Sequence, residues 1–368
     1  MYSYTMTNNW TCEAIDHGVT IFPNGKIGPC CQIRSDYLKP ISELSNPQRF
    51  ADLHTEYPPP QCEKCISAED SGLSSYRKMF NSKKTSAPGL QFVDIRNTNH
   101  CNLKCRYCGP HFSSSWAKEL GNTQIVNQPI EAYKDILISD DLHWMYFTGG
   151  EPLINPEHWN LLTELVASDR SKNISLMYNT NLTTVKYKDV DIVNIWKQFK
   201  SVQVQCSIDA IGIPFEYIRS GADWNSVDQN LQKLIKLANV TNIHIELTPV
   251  LSILNIWFVL ELFEYAKNYK IPVSPIVLTG PDYLALDVIP DQLKEKAHTH
   301  LTAIKSYITP NMFTVISDLI DNNINNCLFN QTIGHILLLD NNRNEKLFNL
   351  LPFTEIANDI ILKNHEYE

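Results

Sequence analysis

No apolar run in this chain is long enough to cross a bilayer as a helix. The most apolar stretch, TPVLSILNIWFVLELFEYA, is broken by Asn255, Glu261 and Glu264. The opening MYSYTMTNNW has neither a basic segment nor an apolar one, so no secretory signal is expected. There is no excess of positive charge. Lys and Arg number 31 against 40 Asp and Glu, a formal charge of −9, which argues against a broad sequence-independent grip on nucleic acid. Internal repeats and low-complexity tails are also missing. These absences predict a soluble cytoplasmic protein with no membrane partner. At 368 residues, 43% apolar and 19% charged, the chain can bury one large domain and a smaller one.

What the chain has is cysteine, ten in all. Without an export signal they are not expected to form disulfides, because the cytosol keeps thiols reduced. Cys12, Cys30, Cys31, Cys62 and Cys65 lie in the first 65 residues, and Cys101, Cys105 and Cys108 form a knot, CNLKCRYC. Cys206 and Cys327 stand apart. Clusters of soft thiolates suit zinc or iron–sulfur, and their number alone does not choose between them.

From residue 90 onward strand patterns alternate with helical ones. LQFVDIRN, HWMYFT, ISLMYN, VQVQCSID, IHIELTPV and the less regular IPVSPIVL read as six strands. Between them lie amphipathic stretches such as Val227, Leu231, Leu234, Ile235 and Ala238. This predicts an α/β fold, a partial (βα)6 TIM-like barrel, with its site at the C-terminal ends of the strands. The expected divisions are a small N-terminal cysteine-rich β-hairpin module over 1–85, the barrel over 86–285 and a helical C-terminal region over 286–368. The hairpin is GVTIFPNGKIGPCC with an Asn24–Gly25 turn, and YPPPQCEKC carries the second cysteine pair.

CNLKCRYC follows the first barrel strand and FTGGEPL follows the second. On these two motifs the chain, over roughly 88–280, resembles the radical SAM superfamily. The resemblance implies that Cys101, Cys105 and Cys108 each hold one iron of a [4Fe–4S] cluster. The fourth iron is left open for the amino and carboxylate groups of S-adenosylmethionine (SAM). One electron from the cluster then yields a 5′-deoxyadenosyl radical that takes hydrogen from substrate. A four-cysteine site would be closed to this chemistry, by the logic that separates structural from catalytic zinc. The resemblance further assigns Tyr107 beside cluster and adenine, and Gly149, Gly150, Glu151 and Pro152 of GGEP near the methionine amino group. It gives Asn179 to cofactor contact, and Ser207 and Arg219 to the methionine carboxylate, where a two-pronged donor fits.

Strand parity sets Val202, Val204, Cys206 and Ile208 against Gln203, Gln205, Ser207 and Asp209, and Ile243, Ile245 and Leu247 against His244, Glu246 and Thr248, the polar rows facing the barrel interior. An interior with Asp94, Arg96, Gln203, Gln205, His244 and Glu246 reads either as a pocket for a polar substrate or as a network bracing an open barrel. In the first reading His244 or Glu246 serves proton transfer.

Cys12, Cys30, Cys62 and Cys65 resemble the Twitch subgroup, the shortened relative of SPASM modules, which holds an auxiliary [4Fe–4S] cluster; Cys31 is a spare or a replacement for Cys30. In that subgroup the module more often follows the barrel, whereas here it precedes it. The resemblance implies a two-cluster enzyme acting on a peptide or small polar substrate, fed by a low-potential donor such as flavodoxin or ferredoxin. The alternatives are a zinc ribbon at the N-terminal cysteines, or a non-catalytic iron–sulfur or zinc-binding electron-transfer protein on the same fold.

Overall fold

The structure, a computed structural model, describes residues 10–83, 89–238, 240–322, 326–345, 351–353 and 356. The strands are β1 (Gly18–Ile21), β2 (Lys26–Gly28), β3 (Lys39–Pro40), β4 (Phe92–Ile95), β5 (Trp144–Phe147) and β6 (Ser175–Thr180). They continue with β7 (Lys186–Tyr187), β8 (Val190–Asp191), β9 (Ser201–Cys206), β10 (Ile243–Leu247), β11 (Val250–Leu251) and β12 (Ile276–Val277). Eight of them form one sheet in the order β10-β9-β6-β5-β4-β1-β2-β3. Each of the pairs from β4 through β10 is parallel, so helices must cross over between them.

Two features differ from the sequence expectation. The N-terminal hairpin joins the barrel sheet, since β1 pairs in parallel with β4, placing Thr20 opposite Asp94. The sixth strand, IPVSPIVL, is broken: it makes a single bridge to β10 at Val273 and a separate two-residue ladder between β12 and β11. Pro272 and Pro275 explain the break, because neither has an N–H to donate to a ladder. Among the described residues after 290 there are helices Asp291–Ala303, Pro310–Asp321 and Asn326–Arg343; most of the expected helical region beyond residue 345 lies outside the described residues. Among the described residues no helix is long and apolar enough to cross a membrane.

The parity reading holds in the outer face. Val202, Val204, Cys206, Ile243 and Leu247 are fully buried in the main core with Val93, Ile95, Met145 and Leu176. Cys206 is therefore a core thiol. The opposite, concave face is not wholly polar. Phe92, Tyr146 and Met177 form a second apolar cluster with Ala14 and Phe80, and Cys12, Cys30, Tyr76 and Met79 pack against it. Phe80 meets Phe92 edge to face at 4.7 Å. The N-terminal segment thus covers this part of the barrel's inner face, burying aromatic area that would otherwise meet water.

Candidate functional site

The loop after β4 carries Cys101, Cys105 and Cys108. Its shape is set by the segment that follows it, GPHFSSSW. The Ser114 and Ser115 hydroxyls donate to the Cys101 carbonyl at 3.2 and 2.8 Å, and Trp116 Nε1 donates to the Cys105 carbonyl at 2.8 Å. Ser113 Oγ donates to the Leu103 carbonyl at 2.6 Å while also capping the short helix Ser114–Glu119. The three thiols lie within electrostatic reach of one another. Burial pushes the Cys101 thiol up to about 12, and the nearby Cys108 adds to the shift. Burial raises Cys105 as well; Arg219 opposes it, while Cys108 and Cys101 reinforce it.

On the other side the loop is locked by a side chain from inside the motif. Arg106 is fully buried and pairs with Asp340 and Glu345. Its Nε donates to the Tyr217 carbonyl at 2.9 Å, and the guanidinium lies 3.6 Å from the centre of the Tyr217 ring. His335 Nε2 contacts the Arg106 carbonyl at 3.0 Å. The C-terminal helix Asn326–Arg343 is thereby fastened to the cysteine loop. Sequence reasoning missed this clamp, because the partners lie 234 and 239 positions away and carry no shared spacing.

GGEP sits against the same loop. The Gly150 N–H donates to the Thr98 carbonyl at 2.9 Å and the Glu151 N–H to the His100 carbonyl at 2.7 Å. Gly149 has φ +98°, and a Cβ on Gly150 would lie 2.2 Å from the His100 oxygen. Only glycine permits that approach. The Gly150→Ala variant is accordingly expected to displace the 98–100 backbone, at a cost of about 1–3 kcal/mol of stability. Reconstituted variant protein should retain less iron than wild type at equal concentration; equal iron and equal melting temperature would refute the close packing.

Glu151 is buried and fully engaged. Oε1 accepts from Leu153 N at 3.0 Å and Thr180 Oγ1 at 2.8 Å, and Oε2 accepts from Asn181 N at 2.7 Å. Burial raises its carboxyl pKa against these donors. It therefore staples the GGEP turn to the end of β6, and Pro152, beside it, opens the short turn Pro152–Ile154. Asn179, on β6, has a buried Oδ1 with no hydrogen-bond partner. A buried acceptor left unpaired is costly unless a ligand supplies the donor.

Arg219 is 7% exposed and pairs with Asp209 at 2.8 Å; its Nη1 lies 3.9 Å from Cys105 Sγ. Asp209 also accepts from Tyr107 Oη at 2.7 Å and from Val250 N at 2.8 Å. Burial holds the Tyr107 phenol well above its ordinary range, so it stays a donor. Cys105, Tyr107, Asp209 and Arg219 are thus brought together. Asp209 was given no role from sequence, although it lies two residues beyond Ser207 and shares its parity. Ser207 follows β9, and its N–H donates to the Thr180 carbonyl at 2.9 Å.

The two residues assigned to proton transfer part company. Glu246 accepts from Gln203 Nε2 and Gln205 Nε2, both at 2.8 Å, and from Ser274 Oγ at 2.9 Å. This is the bracing arrangement at the sheet edge. His244 is exposed.

The N-terminal cysteines divide as well. Burial pushes Cys12 up to about 11 with Cys65 adding, and Cys62 up to about 12 with Cys12 and Cys65 adding. Cys30 is raised by burial, with Cys31, Cys65 and Cys12 adding. Cys31 turns the other way, beside Asp94, Arg96 and Tyr76. Among the described residues no three His, Cys, Asp or Glu side chains converge on a single metal-ion position. Ligands of a multi-iron cube each take a different iron, so their sulfurs surround it and do not converge on one ion.

Residues 95–251 match the sequence pattern of the radical SAM superfamily. An uncharacterized protein of Methanocaldococcus jannaschii is 24% identical over 220 residues, covering 58% of this chain and 66% of that protein. The GTP 3′,8-cyclase of Helicobacter pylori is 25% identical over 191 residues, covering 51% of this chain and 55% of the cyclase. The crystal structure of Streptococcus suis SuiB is 18% identical, with TM-score 0.40 over 78% of this chain and 64% of that one. The chain therefore spans between about half and two thirds of the length of these relatives. The matched segment begins at the end of β4, takes in the cysteine loop, GGEP and the Asp209–Arg219 pair, and ends at β11; this part of the chain belongs to the radical SAM superfamily.

Proposed function

We propose that the chain is a radical SAM enzyme that abstracts hydrogen from a peptide or a small polar substrate, with a second [4Fe–4S] cluster at the N-terminal cysteines. The observation that carries this reading is the meeting of the Cys101–Cys105–Cys108 loop with Gly150, Tyr107 and Arg219 at the C-terminal ends of the strands. The superfamily implies one [4Fe–4S] cluster and SAM, and the residues fit both. Three soft thiolates leave one iron free, and the orphaned Asn179 Oδ1 offers an acceptor to a bound amine or hydroxyl. When bound, the pair supplies one-electron cleavage of a sulfonium C–S bond, and with it hydrogen abstraction.

The chain's own part is positioning. Ser113, Ser114, Ser115 and Trp116 hold the loop carbonyls so that the thiols face inward. Asp209 fixes Arg219 and Tyr107 as a unit, which aligns the guanidinium edge beside Cys105. Glu151 anchors the turn that lets backbone approach the cofactor. Ser207, at the end of β9, is the hydroxyl assigned to the methionine carboxylate beside Arg219. Glu246 keeps the proton-transfer assignment, since it stands on the rung of Gln205 and Asn179; exposed His244 sits one rung pair lower.

For the second cluster the support is the mutual influence of Cys12, Cys30, Cys62 and Cys65, with Cys31 turned away. Four cysteine ligands would leave no open iron, so this cluster would carry electrons from a flavodoxin- or ferredoxin-like donor and would not bind substrate. The test is anaerobic reconstitution. Reduced wild-type protein with SAM should release 5′-deoxyadenosine without substrate. The Cys62→Ala/Cys65→Ala variant should hold about half the iron and still cleave SAM. Zinc in place of that iron would support the structural reading, and no 5′-deoxyadenosine from wild type would overturn the enzyme assignment.

A further inference from the structure

The C-terminal rung of the sheet holds a cation that the proposed function leaves unused. Arg96 follows β4 directly. One step beyond the register Ile95–Phe147–Tyr178, it stands on the rung of Asn179, two strand spacings or about 10 Å away. Its Nε donates to both oxygens of Asp94, at 3.0 and 2.9 Å. Asp94 is itself buried and accepts from Thr20 Oγ1 at 3.3 Å across the β1–β4 pair. The guanidinium is thus fixed from behind. Its two terminal nitrogens have no hydrogen-bond partner among the described residues, and the side chain is 25% exposed. Around it stand the Tyr146 ring, 5.8 Å from the guanidinium carbon, with Tyr76 and the Cys31 thiol.

A guanidinium held by one edge and open at the other presents parallel N–H donors to a planar oxyanion. Charge selects among oxyanions. Asp94 already offsets the Arg96 charge, so a dianionic phosphate would leave two negative charges unbalanced here where a singly charged carboxylate leaves one. We propose that the free edge of Arg96 anchors a substrate carboxylate, in a wall formed by Tyr76, Tyr146 and Cys31. This deepens the proposed function and rests on it. The carboxylate belongs either to a free amino acid or to an acidic side chain of a peptide.

Equilibrium dialysis of the reconstituted protein with labelled probes tests it. The probes are L-glutamate, L-glutamine, and the blocked peptides acetyl-Gly-Glu-Gly-amide and acetyl-Gly-Gln-Gly-amide. At least one carboxylate probe should bind wild type about ten-fold or more tighter than its amide counterpart. Retention of glutamate alone assigns a free amino acid, and retention of the peptide alone assigns a side chain; both support the anchor. Arg96→Gln should abolish the preference, and Arg96→Lys should keep part of it. Because Arg96→Gln leaves Asp94 buried and unpaired, the Asp94→Asn/Arg96→Gln variant provides a neutral pair, and it too should show no preference. Equal binding of acid and amide, no binding of any probe, or an undiminished preference in the variants overturns the proposal. SAM cleavage by wild type is measured separately. Normal 5′-deoxyadenosine release without carboxylate preference rejects the anchor alone.

Discussion

Cys105→Ala protein, reconstituted anaerobically, is expected to carry about four irons per chain where wild type, with both proposed clusters filled, should carry roughly eight, and to release no 5′-deoxyadenosine above background. Cys105 is the deepest of the three loop thiols, 8% exposed, and its surroundings are the most specialised. Arg219 Nη1 approaches its sulfur at 3.9 Å, and Trp116 holds its carbonyl. Removing this sulfur leaves two ligands for a cluster that needs three. The iron that remains should belong to the N-terminal set. Iron content and product release measured together decide the matter. A variant with full iron and normal cleavage would remove the cysteine loop from the active centre.

A second large effect is expected far from any sulfur. Arg106→Met should destabilise the protein by about 3–5 kcal/mol, because it leaves Asp340 and Glu345 without their buried cation. The Arg106 side chain has no exposed surface and Asp340 has 8%, so solvent cannot take over its role. Glu345 is more exposed, at 23%, and contributes the smaller share. For a chain of this size the loss corresponds to a fall in melting temperature of roughly 4–6 °C. The variant should also lose iron faster, because its C-terminal helix no longer holds the cysteine loop. Arg106→Met/Asp340→Leu should recover much of the stability, since replacing a buried pair by apolar groups of similar volume is often neutral. A drop of under 1 °C in Arg106→Met would show that the clamp carries little weight.

The cysteine loop was legible in the sequence because its three thiols happen to come from one short turn. CxxxCxxC places them in a window of eight residues, and the strand before it sets which end of the sheet it occupies. GGEP was legible as a motif following the second strand, whereas its reason, the packing of Gly150 against His100 fifty positions away, came only with the fold. Strand parity correctly placed Val202, Val204 and Cys206 in the core, since alternation is a property of the backbone itself. It could not foresee that Phe92, Tyr146 and Met177 would be covered by Phe80 from the N-terminal segment. The prolines of IPVSPIVL were in plain view, yet how far they break the ladder depends on which neighbour is offered. Cys30 and Cys31 are adjacent and chemically identical, and nothing local separates them. Only the fold does, by turning Cys31 toward Asp94 and Arg96 and leaving Cys30 with Cys12 and Cys65. The same holds for Arg106, whose partners lie more than 230 positions away. Spacing therefore determined the ligand loop, because its three thiols fall within one turn of chain and need no long-range fold to meet. Burial and long-range pairing determined the clamp, the Asp209–Arg219–Tyr107 unit and the environment of Arg96, because only packing brings those charges out of water and together.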